Sequence, residues 1–322
     1  MSRRAPTLHH RLEHLLYRAV VGLGRLFAER AARWIGAALG RLAYRPLGIR
    51  RRIVETHLRQ AFPDRDDRWI RATAAASYAH LGREAMRMLL LSTLWPEDVI
   101  VRTRVDGLDE FMAALEKGRG LVLVTGHFGN WEIGGAALAA RGVPLDVVAQ
   151  RQSNPLFDRS IVEARERLGM RVIERRNAPR EGLRALRRGR AVAFVADQDA
   201  RRAGVFVPFF GRLASTHRGP ALLALRTGAP IFLGTMVRVD DESYHVRLEE
   251  IDVQRDGETE AAIERLTAAF THRLELAVRA SPAQYFWHHR RWKTRPDQEP
   301  AAEAPGITPR DGVSTAAPRE QS

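Results

Sequence analysis

LVLVTGHFGNWEIGGAALAARG, residues 121–142, is the stretch on which the fold turns. Leu121–Thr125 carries no charge and is built from aliphatic and β-branched residues, which predicts a buried strand. From Glu132 onward small and apolar residues predict a helix, and Gly142 marks its stop. A strand, a glycine-bearing turn and a helix therefore follow one another directly. The same alternation runs downstream. Strands are expected at Pro144–Gln150, Arg171–Glu174, Ala191–Asp197, Pro230–Val239 and Tyr244–Ile251, with helices at 156–169, 182–189, 218–228 and 258–279. This texture implies an α/β fold with a central mixed, mainly parallel sheet covered by helices.

The turn holds the chemistry-bearing residues. His127 and Glu132 are five apart, about 140° on a regular helix, so they converge only if His127 sits in the turn and Glu132 in the first helical turn. Gly126 and Gly129 permit such a turn, and Asn130 is placed to cap the helix. Glu132 would then lie near the positive end of the helix dipole, which favours its ionised form. In that arrangement Glu132 is expected to hold one imidazole nitrogen of His127, leaving the other to face a substrate hydroxyl. No Ser or Cys stands nearby, which favours direct attack over a covalent enzyme intermediate. The two-histidine spacing of a helical zinc site is absent, so no metal is expected, and direct attack needs no bound cofactor.

Working outward, the N-terminal sixth is unusually basic. Residues 1–52 hold twelve arginines against Glu13 and Glu29, which is +10 of the chain's +14. Such a balance points to an anionic partner: nucleic acid, membrane or an acidic ligand. Residues 8–46 read as helix. Leu12, Leu15, Leu16, Ala19, Leu23, Leu26 and Phe27 form one face, with Arg11, Arg18 and Arg25 on another, and Gly36 and Gly40 weaken the helix beyond Phe27. The pattern fits an interfacial helix on anionic lipid, or a surface helix packed on the domain. No stretch is long and apolar enough to span a bilayer. With no cysteine, disulfides, thiolate metal sites and Cys nucleophiles are excluded. Three regions are expected: residues 1–60 as an amphipathic helical membrane-associating region, 61–296 as the catalytic domain, and 297–322 as a disordered tail rich in Ala, Pro and Glu.

Further motifs surround these. Arg151 follows a strand, where it could bind an anionic group or a developing oxyanion. Asp197 and Asp199 end another strand, where they could order a loop or contact sugar hydroxyls. Tyr285, Phe286, Trp287 and Trp292 interleave with His288, His289, Arg290, Arg291, Lys293 and Arg295, a cluster suited either to a headgroup surface or to C-terminal packing.

GHFGNWE resembles the H-x4-[DE] motif of glycerolipid acyltransferases. Together with VVAQRQSNPLFD (147–158), ADQDARRAGVFVPFFG (196–211), THRGPALLALRTGAPI (216–231), PAQYFWHHRRWKTRP (282–296) and RRRIVETHLRQAFPD (50–64), it is similar to the late acyltransferases of lipid A biosynthesis. His57 stands where that family usually has Asn, and Gln150 and Gln152 replace the Tyr and Pro that flank the arginine. The resemblance implies an enzyme with His127 and Glu132 catalytic and Arg151, Asn130, Asp197 and Asp199 binding substrate. It implies an acyl carrier protein or coenzyme A thioester as donor and a lipid A precursor as acceptor, at the cytoplasmic face of the inner membrane. The alternative acceptors are a phosphatidylinositol mannoside, an aminolipid or a glycerophospholipid. No nucleic-acid-binding signature supports a non-enzymatic basic protein.

Overall fold

The computed structural model describes residues 6–26, 29–252 and 259–296. Four helices open the chain: α1 (Leu8–Leu26), α2 (Glu29–Tyr44), α3 (Arg51–Ala61) and α4 (Asp67–Leu89). Then come α5 (Pro96–Arg102), β1 (Thr103–Asp106) and α6 (Leu108–Glu116). The alternating part runs β2 (Leu121–Thr125), α7 (Trp131–Ala139), β3 (Leu145–Ala149), α8 (Pro155–Arg167), β4 (Arg171–Glu174), α9 (Ala178–Leu186) and β5 (Ala191–Val195). A hairpin of β6 (Val205–Phe209) and β7 (Arg212–Thr216) precedes α10 (Gly219–Thr227), β8 (Ile231–Arg238), β9 (Tyr244–Glu250) and α11 (Thr259–Ala280).

Seven strands form one sheet in the order β1-β9-β8-β2-β5-β3-β4, parallel throughout except for β8 against β9. This is the expected mixed, mainly parallel sheet. The central strand β2 explains why its sequence does not alternate. Leu121 and Leu123 join a core with Phe111, Ile133, Leu138 and Leu168 of α6, α7 and the end of α8. Val122 and Val124 join a second core with Leu186, Leu223 and Ile263 of α9, α10 and α11. A strand buried on both faces needs apolar residues at every position.

The helix read over 8–46 is divided into α1 and α2, and Phe27 lies outside the described residues. Gly36 and Gly40 do not weaken α2; they let it approach α4. A Cβ at Gly36 would strike the Gly82 carbonyl, and one at Gly40 the Tyr78 carbonyl. Small residues at this spacing let two helix backbones meet closely, a packing advantage that outweighs their poor helix propensity. Tyr44, Val54 and Leu58 join the same core as Val122, so α2 and α3 share the core of the sheet domain. Helix α1 docks beside α8: Asn154 Nδ2 donates to the His10 carbonyl at 3.0 Å and to Glu13 Oε2 at 2.8 Å. The Tyr17 and Phe157 rings meet edge-on at 5.1 Å. Leu12, Leu15, Leu16 and Leu23 of α1, with Trp34, Ile35, Leu39 and Leu42 of α2, remain exposed. Among the described residues no helix is long and apolar enough to cross a membrane. The tail expected at 297–322 lies outside the described residues.

Candidate active site

Strands β2, β3, β4 and β5 run parallel, so their C-terminal ends share one edge. The segments that leave this edge carry His127, Arg151, Arg175 and Asp197. Binding sites in open parallel sheets gather there because the connecting loops converge on that edge.

The turn that carries His127 is held rigidly. Gly129 has φ +59°, and a Cβ there would run into the Met236 carbonyl, so only glycine fits. The Gly129 N–H donates to the Gln284 carbonyl at 2.9 Å, and the Phe286 N–H donates to the His127 carbonyl at 3.0 Å. Asn130 caps α7 as expected, its Oδ1 accepting from the Ile133 N–H at 3.0 Å. Its Nδ2 donates to the buried Glu84 at 2.7 Å. Both ends of the Asn130 amide are thus committed to the protein, and it shapes the turn.

The carboxylate beside His127 is Asp197. Its Oδ1 lies 2.7 Å from Nδ1 of the imidazole, and its Oδ2 accepts the His127 backbone N–H at 2.9 Å. Burial pushes the Asp197 carboxyl up, but the His127 side chain and backbone outweigh this and hold it at about 2. An ionised Asp197 can only accept, so Nδ1 carries the proton and Nε2 presents its lone pair. Gln198 Nε2 sits 3.3 Å from that lone pair. The rings of His127 and Trp131 meet edge-on at 4.7 Å.

This arrangement corrects the expected contact between Glu132 and His127. Glu132 turns to Arg165 of α8, with Nη2 to Oε1 at 2.5 Å and Nε to Oε2 at 2.9 Å. The two side chains are only 8% and 10% exposed. The planar guanidinium fork engages both carboxylate oxygens, which leaves neither for the imidazole. Burial disfavours the Arg165 charge, but Glu132 more than restores it. Nearness in sequence placed Glu132 at the same pocket and not at the same hydrogen bond. Asp197 reaches His127 through strand register instead. Thr125 pairs with Val195, and His127 and Asp197 each lie two residues beyond.

His127, Glu132, Arg165 and Gln198 all line one pocket of about 780 Å³. One wall is apolar and lies under α7, with Leu123, Leu138, Met170 and Met236. Another is formed from Phe194, Leu183, Leu222 and Leu223. Exposed Arg151, Gln152, Ser153, Arg175 and Arg226 mark its open rim. Arg151 is therefore brought to the pocket, where its Nε lies 3.6 Å from Asp158 Oδ2. Asp199 is not at the pocket. Its N–H donates to His289 Nε2 at 2.8 Å, and its Oδ2 accepts from Thr294 at 2.9 Å.

Most of the aromatic and basic C-terminal cluster is packing, and Arg290 and Lys293 stay exposed. Tyr285, Trp287, Trp292, His288 and Arg291 are buried, and Arg291 donates to the Ser215 carbonyl at 2.6 Å. Burial, with Arg50 and His57 nearby, pushes His288 down to about 4, so it is neutral at ordinary pH. His57 contacts the Trp287 carbonyl at 3.0 Å, which ties this departure from the family pattern to the same packing. Gln198 and Arg165 were not singled out from the sequence. Nothing local marks either residue, and only the sheet order and the α7–α8 packing bring them to the pocket that His127 lines.

Comparison with known proteins identifies the family. The family model described as bacterial lipid A biosynthesis acyltransferase matches residues 2–294. The chain is 29% identical over 267 residues to the lipid A biosynthesis palmitoleoyltransferase of Escherichia coli (strain K12), covering 82% of this chain and 85% of the relative. It is 29% identical over 275 residues to the lipid A biosynthesis lauroyltransferase of the same organism, covering 83% and 87%. It is 34% identical over 239 residues to the phosphatidylinositol mannoside acyltransferase of Mycolicibacterium smegmatis (strain ATCC 700084 / mc(2)155), covering 72% and 77%. A strand-end histidine held by a buried carboxylate, beside an apolar pocket, thus sits in a chain matched along nearly its whole length: the protein belongs to the bacterial lipid A biosynthesis acyltransferase family.

Proposed function

We propose that the protein transfers a fatty acyl group from a carrier thioester to a hydroxyl of a membrane glycolipid, a Kdo-bearing lipid A precursor being the favoured acceptor. The observation that carries this reading is the His127–Asp197 pair at 2.7 Å, set at an apolar pocket of about 780 Å³. Asp197 fixes the tautomer and stabilises the imidazolium that forms. As the acceptor hydroxyl arrives, Gln198 yields Nε2 to it. His127 takes the hydroxyl proton, and the oxygen attacks the thioester carbonyl. The tetrahedral intermediate then expels the thiolate, which takes the proton back from His127. The Gln198 amide, released from Nε2, is at hand to donate to the oxyanion. Glu132 fixes Arg165 at the pocket wall, where the guanidinium meets a negative group of a substrate. Arg151 does the same at the rim. The apolar walls take the acyl chain.

Access from a bilayer follows from α1. It lies against the N-terminus of α8, next to rim residues 150–153, and exposes leucines together with Arg11 and Arg18. The working position is peripheral, at the cytoplasmic face of the inner membrane. The mannoside acceptor is the second reading, favoured by the 34% identity to the mycobacterial relative. Purified protein, supplied with acyl carrier protein and coenzyme A thioesters, should acylate the Kdo-bearing precursor as read by mass spectrometry. Transfer to the mannoside alone would establish the second reading. Transfer to no glycolipid hydroxyl from either thioester would overturn both.

A further inference from the structure

Helix α9 and its flanks carry a charge that the site does not use. Residues 174–190 hold seven arginines and two glutamates. Helix α9 buries Ala178, Gly182, Ala185 and Leu186, and this stripe leaves Arg180, Arg184, Arg187 and Arg188 exposed. Neighbouring arginines are neutralised: Arg176 by Glu174 at 2.9 Å, and Arg190 by Asp146 at 2.5 Å. Among the described residues, none of the four exposed arginines lies in an ion pair. Four like charges on one short helix and the residues just past its end repel one another, and their summed field extends into solvent to attract an acidic surface.

Two placements say what that surface belongs to. Arg175 and Pro179, at the start of the same segment, line the pocket together with Arg226 of the adjoining α10. Whatever docks on α9 therefore sits beside the entrance to His127. Helix α9 also packs in the core opposite to that of α7 and the end of α8, whereas α1 rests against α8. The exposed large apolar residues lie on α1, α2, segment 95–101 and elsewhere, and none lies on α9. A helix that binds a bilayer inserts an apolar face, and the apolar face of α9 is turned into the core.

We propose that the arginine face of α9 docks an acidic protein that carries the acyl thioester on a flexible prosthetic arm, and that the arm enters the pocket past Arg175. This rests on the thioester-donor reading above, with a protein carrier as the donor, and adds the surface on which that carrier lands. The acceptor lipid would then arrive from the α1 side and the donor from the α9 side.

The test uses the full chain and a triple charge reversal, Arg180→Glu with Arg184→Glu and Arg188→Glu. Binding of holo-acyl carrier protein should weaken at least tenfold in the variant, and wild-type binding should weaken steeply with added salt. KM for the acyl carrier protein thioester should rise at least tenfold with kcat within twofold. Turnover of the neutral acyl-pantetheine thioester should stay within twofold, which also reports that the variant is folded. Carrier binding unchanged by the reversal would overturn the proposal. So would an equal loss with the carrier and pantetheine donors. Loss of binding to anionic vesicles in place of carrier binding would make the face a membrane surface and overturn it too. Failure of every thioester to react in the wild type would sink the transfer reading, while the binding titration would still decide the docking.

Discussion

Around His127 the polar side chains are answered inside the protein: Asp197 by the imidazole and a backbone N–H, Asn130 by α7 and Glu84, and Glu132 by Arg165. Along α1 and α2 the reverse holds, with Leu12, Leu16, Trp34 and Leu39 at 54–69% exposure. The first region is complete in isolation and so can be preorganised for a transition state. The second is complete only when something apolar covers it. The difference assigns chemistry to one and attachment to the other, and substitutions in the two should therefore fail in different ways.

The largest effect belongs to the first region. His127→Ala should lower kcat by about 10²–10⁴-fold, the usual contribution of a positioned general base, with vesicle binding unchanged and the protein still folded. Retention of wild-type turnover by the folded variant would remove His127 from the chemistry. Glu132→Gln should act mainly through the fold. It leaves a buried guanidinium without its carboxylate, a change that costs about 3–5 kcal/mol, readable by urea unfolding. An unchanged midpoint would show that the Glu132–Arg165 pair contributes nothing to stability. Gln198→Ala should lower kcat by about 10–100-fold with little change in KM, as expected when a hydrogen bond to a developing anion is lost. A rise in KM alone would make Gln198 a ground-state binding residue.

The smallest effect on chemistry is expected in the second region. Deleting residues 1–30 should weaken binding to anionic vesicles, each lost arginine near the surface being worth about 1 kcal/mol. Transfer to membrane-embedded acceptor should fall more than transfer to detergent-dispersed acceptor. Equal loss in both assays would place the N-terminal helix in the catalytic fold and erase the contrast between the regions.

The two regions also differed in how legible they were. Apart from the β6–β7 hairpin, the strands and helices from β2 to β9 could be read because their period and their glycine stops are local properties of the chain. His127 could be read because its glycine turn is local as well. Its partner could not. Asp197 lies seventy residues away, and only the register of β2 on β5 brings it to the imidazole. Glu132 satisfied every local rule for an orienting carboxylate, yet Arg165, on a helix whose packing the sequence does not specify, claimed both of its oxygens. The β6–β7 hairpin was missed for a related reason. Pro208 argues against a strand, and its turn places Phe210 at φ +52° before Gly211 at +71°, where a bulky residue is rarely found. In the N-terminal helices the apolar periodicity was clear, but Gly36 and Gly40 gained their meaning only once α4 was seen against them.

The central claim is that Asp197 acts through His127. A double-mutant cycle in single-turnover acyl transfer tests it most directly, using His127→Ala, Asp197→Asn and the pair together. Residues that act as one unit are strongly non-additive. The account predicts that Asp197→Asn alone cripples transfer and that, once His127 is gone, adding Asp197→Asn lowers the rate by less than threefold more. Fully additive losses, or an Asp197→Asn enzyme with wild-type turnover, would contradict it.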